Sequence, residues 1–297
     1  MNSCLLRDGW VRRRMCAWMR AGMLALLLFA PGAWAEEPHD QIELAFTPFL
    51  PVRTMLQNYQ PMRAYLEKRL HVPVTLITAP DYQTYNARMR EHAYSFIVTV
   101  ANSAYLAYAD YGYVPMLRPS IATRPVLLLA KNSRLKNMKA LRGATIAMPD
   151  PLAVVAMQGV QMLREAGLNP ERDVTIKYMQ NHSAAVNLVI SGEAGAAIVS
   201  DRALLQMPNA TRKAVRVLQT WDAGAVPGVV YLASPHVPQA RVAQVNQAIL
   251  EFVHDTREGR ALMKDLGYGG LAPVTPEELK ALAPYGAQLK AAMGAVP

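Results

Sequence analysis

The chain has 297 residues, a formal net charge of +9 and two cysteines. Five arginines and one aspartate in the first 35 residues supply +4 of this charge, which leaves +5 on the remainder. There, lysine and arginine are scattered rather than clustered among aromatic residues. This pattern argues against nucleic acid and favours a small anionic ligand, unless the basic surface serves only solubility. Both cysteines, Cys4 and Cys16, also lie in the first 35 residues, which excludes disulfides and cysteine chemistry from the rest.

The first 35 residues are predicted to be a cleaved secretory signal. Arginines precede an apolar run at 23–30, which is too short to span a bilayer, and Ala33-Trp34-Ala35 has the small-x-small pattern of a cleavage site. The exported protein is then expected to begin at Glu36 and to be periplasmic. Translation starts at Met15 or Met19 stay open as alternatives.

The remaining chain alternates between strand and helix patterns. Up to residue 125 the sequence predicts strands at 42–46, 72–77, 96–99 and 114–117, with helices at 54–70, 82–90 and 103–111. Near 122–130, a continuous apolar run at 125–130 is interpreted as a buried strand that leaves a first lobe. Beyond it we predict strands at 144–148, 174–177, 196–199, 215–219 and 228–233, and helices at 154–166, 182–191, 202–206, 242–254, 258–266 and from 276 onward.

One helix-strand unit occurs twice. Residues 81–100 align without a gap on 181–200, so that Asp81 matches Asn181 as a helix cap and Tyr82 matches His182 at the first helical position. Gly192 ends the second copy's helix. Two similar lobes are the interpretation, with Tyr82 and His182 facing each other across a cleft. The start of the second helix also offers Ser183 beside backbone N–H groups that favour an anion.

In order and spacing, several motifs resemble a known family. These are Ala79-Pro80-Asp81-Tyr82, the segment 141–147 leading to Asp150-Pro151, and the Asn181-His182 helix followed by Ser191-Gly192-Glu193-Ala194. The chain is similar to the periplasmic phosphate-, phosphite- and phosphonate-binding proteins of ABC transporters. The resemblance implies an α/β fold of the type II periplasmic binding protein class, with two doubly wound lobes joined by two hinge strands. We predict a first lobe of 36–125 and 229–297 and a second lobe of 126–228.

The resemblance also implies ligand-contacting residues. Tyr82 and His182 match the positions that contact the oxyanion in the family, and Asp201 matches the acidic residue that contacts an amino group in aminophosphonate binders. Thr99 stands where family pockets sometimes have an aromatic residue, and Ser103 is a nearby candidate. The clearest departure follows Asp150-Pro151, because residues 152–155 are Leu-Ala-Val-Val where phosphonate binders have serine and threonine. We therefore predict weak binding of phosphate and 2-aminoethylphosphonate.

Each candidate also has a plainer structural interpretation. Tyr82 can pack at a lobe surface with its hydroxyl in water, and His182 can be only a helix-start residue. Asp201 can cap the helix that follows it, and Thr99 and Ser103 can cap the helix near residue 103. These alternatives stay open on sequence alone.

The predicted function is solute binding for an ABC importer, in which a small anionic ligand is handed to an inner-membrane permease. A periplasmic sensor that docks on a receptor histidine kinase is the alternative. An enzyme is not expected, because no catalytic triad order, metal-spaced histidine cluster or phosphate-cradling glycine loop is found. We predict no cofactor, no metal, no nucleic acid partner and a monomer.

Overall fold

Two β-sheets organise residues 41–295, which are the residues described in the computed structural model. The predicted signal at 1–35 lies outside the described residues. The predicted alternation of strands and helices is confirmed across the described chain. Within that part of the chain, no helix is both long and apolar enough to cross a membrane.

The first sheet has six strands in the order β11-β4-β10-β3-β1-β2. Strand β1 is parallel to β2 and β3, whereas β10 is antiparallel to β3 and β4. Its strands are β1 (Ile42–Phe46), β2 (Val74–Thr78), β3 (Phe96–Thr99), β4 (Val114–Pro119), β10 (Val230–Ala233) and β11 (Leu271–Pro273).

The second sheet has five strands in the order β7-β6-β8-β5-β9. Strand β6 is parallel to β7 and β8, and β5 is antiparallel to β8 and β9. Its strands are β5 (Pro125–Ala130), β6 (Thr145–Met148), β7 (Thr175–Tyr178), β8 (Ala196–Ser200) and β9 (Val215–Thr220). Both sheets therefore place an antiparallel strand beside the strand of the repeated unit.

Helices flank the sheets. We call each sheet with the helices that pack on it a lobe, the first and the second. Within residues 41–295 the eleven helices are α1 (Val52–Leu70), α2 (Tyr82–Arg90), α3 (Ala101–Ala109), α4 (Val154–Glu165), α5 (His182–Ile190), α6 (Asp201–Leu205), α7 (Asn209–Ala214), α8 (Gln239–Asp255), α9 (Arg257–Leu266), α10 (Pro276–Lys280) and α11 (Ala283–Ala295). Helix α8 packs on α1, where the rings of Tyr65 and Phe252 lie 5.3 Å apart.

The chain crosses between the two sheets twice. Residues 120–124 lead from β4 to β5, and residues 221–229 lead from β9 to β10. Two backbone hydrogen bonds join the crossings, from the Thr123 N–H to the Val226 oxygen at 2.7 Å and back at 3.0 Å. Strand β5 does not itself cross, because it is paired on both sides within the second sheet. The exact lobe boundaries predicted above stay a prediction.

The repeated unit has the same geometry in both copies. Asp81 (φ −151°, ψ 171°) caps α2 by accepting a hydrogen bond from the Thr84 N–H at 2.6 Å. Asn181 (φ −157°, ψ 174°) caps α5 by accepting one from the Ala184 N–H at 3.0 Å. Each cap precedes a helix of nine residues and then a buried strand. The caps thus place Tyr82 and His182 at equivalent first positions of two helices.

Three local predictions need correction. The helix predicted at 202–206 is α6, and its cap is the Ser200 hydroxyl rather than Asp201, because Ser200 Oγ accepts from the Ala203 N–H. The C-terminal region forms two helices, α10 and α11, instead of one. Strand β11 and helix α7 were not predicted, since elements of three and six residues show no periodicity.

Candidate functional site

A small cavity lies between the two lobes, with a volume of about 30 Å³. Such a volume holds no more than a few water molecules, so the lobes enclose the site tightly. Both Tyr82 and His182 line it, together with the start of α4 at 153–155. The first lobe adds Phe49 and Tyr268, and the second adds Ser200, Arg202 and Gln206.

Tyr82 forms part of the cavity wall. Its side chain is 0% exposed, and its hydroxyl has no hydrogen-bond partner among the described residues. Burial raises the pKa of Tyr82 well above its ordinary value, and the nearby Asp150 carboxylate raises it further. The phenol is therefore neutral and can donate to a bound acceptor. The interpretation that places this hydroxyl in water is wrong, because the side chain is enclosed.

His182 is enclosed as well, and its hydrogen bonds define its tautomer. The Ser200 N–H donates to Nδ1 at 3.4 Å, while the His182 backbone N–H donates to the Phe49 oxygen at 3.3 Å. Burial lowers the pKa of His182 to about 3. Since Nδ1 accepts, the proton of the neutral ring is on Nε2. His182 thus presents a neutral N–H donor rather than an imidazolium.

Residues 153–155 at the start of α4 line the cavity with apolar side chains. Asp150 shapes the preceding turn by accepting from the Leu152 N–H at 2.8 Å, and Ala153 begins the helix without a side-chain cap. The first N–H groups of a helix have no acceptor within it and favour an anion. Val154 and Val155 line the cavity but add no hydroxyl donors.

A polar wall that sequence reasoning missed also lines the cavity. Arg202 and Gln206 come from α6 and its C-cap, and Tyr268 follows α9. The Tyr268 hydroxyl lies 3.2 Å from that of Tyr59 and 3.5 Å from Gln206 Nε2. The spacing of four residues between Arg202 and Gln206 places them on one helical face, which is the one signal that the sequence offers for this wall.

Four other predicted ligand contacts do not line the cavity in this structure. Asp201 is turned to the crossing segment, where its carboxylate accepts from the Arg124 N–H at 3.0 Å and pairs with the guanidinium at 3.4 Å. Thr99 shares a hydrogen bond of 2.8 Å with Thr47.

The two serines complete this group. Ser103 is buried in α3, and Ser183 is half-buried in the first turn of α5. Ligand contact by Asp201, Thr99, Ser103 and Ser183 stays a prediction. Within residues 41–295, no group of three or more histidine, cysteine or acidic residues is arranged to hold a metal ion.

The sequence was compared with protein families and curated proteins. A family model described as "ABC transporter, phosphonate, periplasmic substrate-binding protein" matches residues 44–279, which is most of the chain. The chain belongs to this family. No match was found among curated protein sequences. The family consists of substrate-binding proteins rather than enzymes, and it is periplasmic.

Solved structures of this family and of related binding proteins share the fold. PhnD1 from Prochlorococcus marinus, in complex with methylphosphonate, is 12% identical with a TM-score of 0.72 over 84% of this chain and 98% of that one. A binding component of an ABC phosphonate transporter from Pseudomonas aeruginosa is 12% identical with a TM-score of 0.72 over 86% and 89%. The alkanesulfonate-binding protein SsuA from Xanthomonas axonopodis pv. citri, bound to MOPS, is 16% identical with a TM-score of 0.59 over 86% and 94%.

These similarities confirm the predicted fold class. Both the family resemblance and the type II periplasmic binding protein fold were stated correctly from the sequence. The two hinge strands are instead loops, because β5 and β10 each pair within one sheet. At these identities the structural likeness establishes the fold alone, so the ligand is argued from the cavity of this chain.

Proposed function

We propose that this protein is the periplasmic solute-binding component of an ABC importer and that it binds a small tetrahedral oxyanion in the inter-lobe cavity. The ligand is of the phosphonate type or a divergent anion of similar size. The protein is exported by means of a cleaved signal, works as a monomer and delivers its ligand to an inner-membrane permease.

One observation carries this proposal. Tyr82 and His182, which begin equivalent helices of the two lobes, line the same enclosed cavity. Each presents a neutral side chain that can donate a hydrogen bond. Residues 153–155 at the start of α4 line the same cavity, and the first N–H groups of a helix favour an anion. Convergent donors in an enclosed site favour an anion over a neutral solute.

The walls also indicate which anions fit. Val154 and Val155 leave part of the cavity apolar, which suits a ligand with a small alkyl group rather than phosphate. Asp201 is held by Arg124 and does not line the cavity, so an amino group on the ligand finds no carboxylate there. Small alkylphosphonates are therefore expected to bind better than phosphate or 2-aminoethylphosphonate.

Import is preferred over sensing. The matching family and the phosphonate-binding neighbour from P. aeruginosa are described as parts of ABC transporters. Co-purification with permease subunits supports import, and co-purification with a receptor kinase supports the sensor alternative.

The proposal is tested by calorimetric titration of the exported protein with methylphosphonate, phosphate, 2-aminoethylphosphonate, alkanesulfonates and small carboxylates. We expect methylphosphonate to bind, and His182→Ala to weaken its binding at least tenfold without unfolding the protein. Loss of one hydrogen bond to a charged group costs about 1.5–3 kcal/mol, which corresponds to roughly ten- to a hundredfold.

The exposed histidine His236 gives a matched control, since His236→Ala removes an imidazole that does not line the cavity. Absence of binding by every anion in the panel, with a normal melting transition, contradicts the proposed function. Unchanged affinity in His182→Ala returns that residue to a purely structural role.

A further inference from the structure

Four residues that line the cavity carry buried polar atoms that have no hydrogen-bond partner among the described residues. They are the Tyr82 hydroxyl, Thr123 Oγ1, Arg202 Nε and Gln206 Oε1, and all four residues line the cavity. Folded proteins hold few such atoms, and burying each without a partner is unfavourable. Four of them around one enclosed space indicate that the cavity is built to receive a polar molecule.

Arg202 is the cation of this group. Its side chain is 15% exposed, and its Nη2 lies 3.6 Å from Asp201 Oδ2. That ion pair is long, and the same carboxylate already accepts from the Arg124 backbone and pairs with the Arg124 guanidinium at 3.4 Å. Because His182 is neutral, Arg202 is the cationic side chain that lines the cavity within the described residues.

Gln206 lies beside Arg202 on the same helical face. It is 7% exposed, and its Nε2 donates to the Tyr268 hydroxyl at 3.5 Å. The other amide atom, Oε1, has no partner among the described residues. It can therefore accept a hydrogen bond from a donor on a ligand. Arg202 Nε and Tyr82, in contrast, can donate to the oxygens of a ligand.

We propose that Arg202 and Gln206 form the ligand-contacting wall that replaces the hydroxyl donors absent from residues 152–155. This inference rests on the proposed function and adds which anions the site prefers. Arg202 donates to an anionic oxygen, while Gln206 Oε1 accepts from a P–OH group. The site therefore selects the monoanion of a small alkylphosphonate over an alkanesulfonate, which is fully deprotonated at neutral pH and has no proton to donate.

The test is calorimetric titration of methylphosphonate and methanesulfonate at pH 6 into the wild type and three variants. Arg202→Met is expected to weaken both anions at least tenfold. Gln206→Leu is expected to weaken methylphosphonate by five- to tenfold and to leave methanesulfonate within twofold, so that the wild-type preference is reduced. Arg212→Met is the control, because Arg212 is an exposed arginine on α7 that does not line the cavity.

Folding is checked by thermal melting of each variant. If Arg202→Met does not fold, Arg202→Lys carries the test, since lysine keeps the charge but lacks the Nε donor, and at least threefold weaker binding is expected. Unchanged affinity in the folded arginine variant overturns the role of Arg202 while the proposed function stands. Equal affinity of the wild type for the two anions overturns the role of Gln206. A wild type that binds neither anion overturns the proposed function and this inference with it.

Discussion

His182 is a neutral donor because the fold closes around it. Nδ1 accepts from the Ser200 N–H, and burial lowers the pKa to about 3 from an ordinary value near 6.5. An imidazolium at this position would lose its solvation and would face an N–H donor at Nδ1. Under the proposed function, Arg202 is therefore the cationic side chain among the described residues that is available to an anion in the cavity.

The lowered pKa of His182 gives a prediction for acid stability. Between about pH 3 and 6.5 the unfolded chain binds a proton at this histidine and the folded chain does not, so the free energy of unfolding falls as pH is lowered through this range. His182→Asn keeps an acceptor for Ser200 and removes the titration. We expect the melting temperature of this variant to fall less than that of the wild type between pH 7 and pH 4.

The measurement is calorimetric melting of both proteins at several pH values, with His236→Ala as the control. Parallel curves for the wild type and His182→Asn would contradict a buried neutral histidine. Affinity of the wild type for methanesulfonate, which does not itself titrate in this range, is likewise expected to show no step near pH 6.5, because the folded-state histidine does not titrate there.

At the residue scale, the sequence was informative where position followed from a repeated local pattern. Tyr82 and His182 were found because each follows a cap by one residue in two copies of one unit. Arg202 and Gln206 were missed because their exposure to the cavity depends on packing against Tyr268, which lies more than 60 residues later. The contact between Asp201 and Arg124 could not be predicted, since Arg124 lies 77 residues away in the chain.

At the scale of elements, two helices are followed by a residue in the left-handed backbone conformation. Helix α1 ends at His71, which adopts a left-handed conformation with φ 56° and donates its N–H to the Glu67 oxygen at 3.0 Å. Gly192 follows α5 at φ 82°, in open space where an added Cβ meets nothing within 4 Å. Glycine adopts this conformation without strain, whereas a residue with a Cβ does not.

Substitutions at these two positions are expected to change the stability of the protein in opposite directions. His71→Gly is expected to stabilise the protein by about 0.5–1 kcal/mol, because His71 is exposed and loses mainly backbone strain. Gly192→Ala is expected to destabilise it by about 1–2 kcal/mol for the converse reason. Urea unfolding with unchanged m-values checks both. A loss of stability in His71→Gly would show that its side chain contributes more than the strain costs.

The length and apolar periodicity of each element determine whether it could be predicted from the sequence. The long helices and the buried strands were found because their apolar residues recur with a clear period, and most bounds were right within two or three residues. The run at 125–130 was correctly assigned as a strand, but its sheet was not evident. Strand β5 pairs with β8 and β9, so its place depends on residues 65 to 95 positions later.

At the scale of the whole molecule, polar contacts hold the two lobes together around the cavity. Asn102 Nδ2 donates to the Leu152 oxygen at 2.9 Å, and Gln180 Nε2 donates to the Pro80 oxygen at 3.1 Å. Because most residues that line this cavity of about 30 Å³ are buried, we expect ligand entry to require separation of the lobes. The crossings at 120–124 and 221–229 are the backbone that both lobes share and therefore the expected position of bending.

Lobe closure is tested through Asn102, which is buried and is not among the residues that line the cavity. In the closed form Asn102→Ala leaves the buried Leu152 carbonyl without its partner, whereas in an open form water solvates that carbonyl. The substitution therefore makes only the closed form less stable, by about 1–2 kcal/mol, and we expect ligand affinity to fall roughly five- to thirtyfold.

In small-angle scattering, saturating ligand should reduce the radius of gyration of the wild type, and Asn102→Ala should need more ligand for the same compaction. Gln219→Ala, at an exposed glutamine of β9, is the matched control. A radius of gyration that does not change with saturating ligand would argue against closure, and wild-type affinity in Asn102→Ala would show that this bond contributes nothing to it.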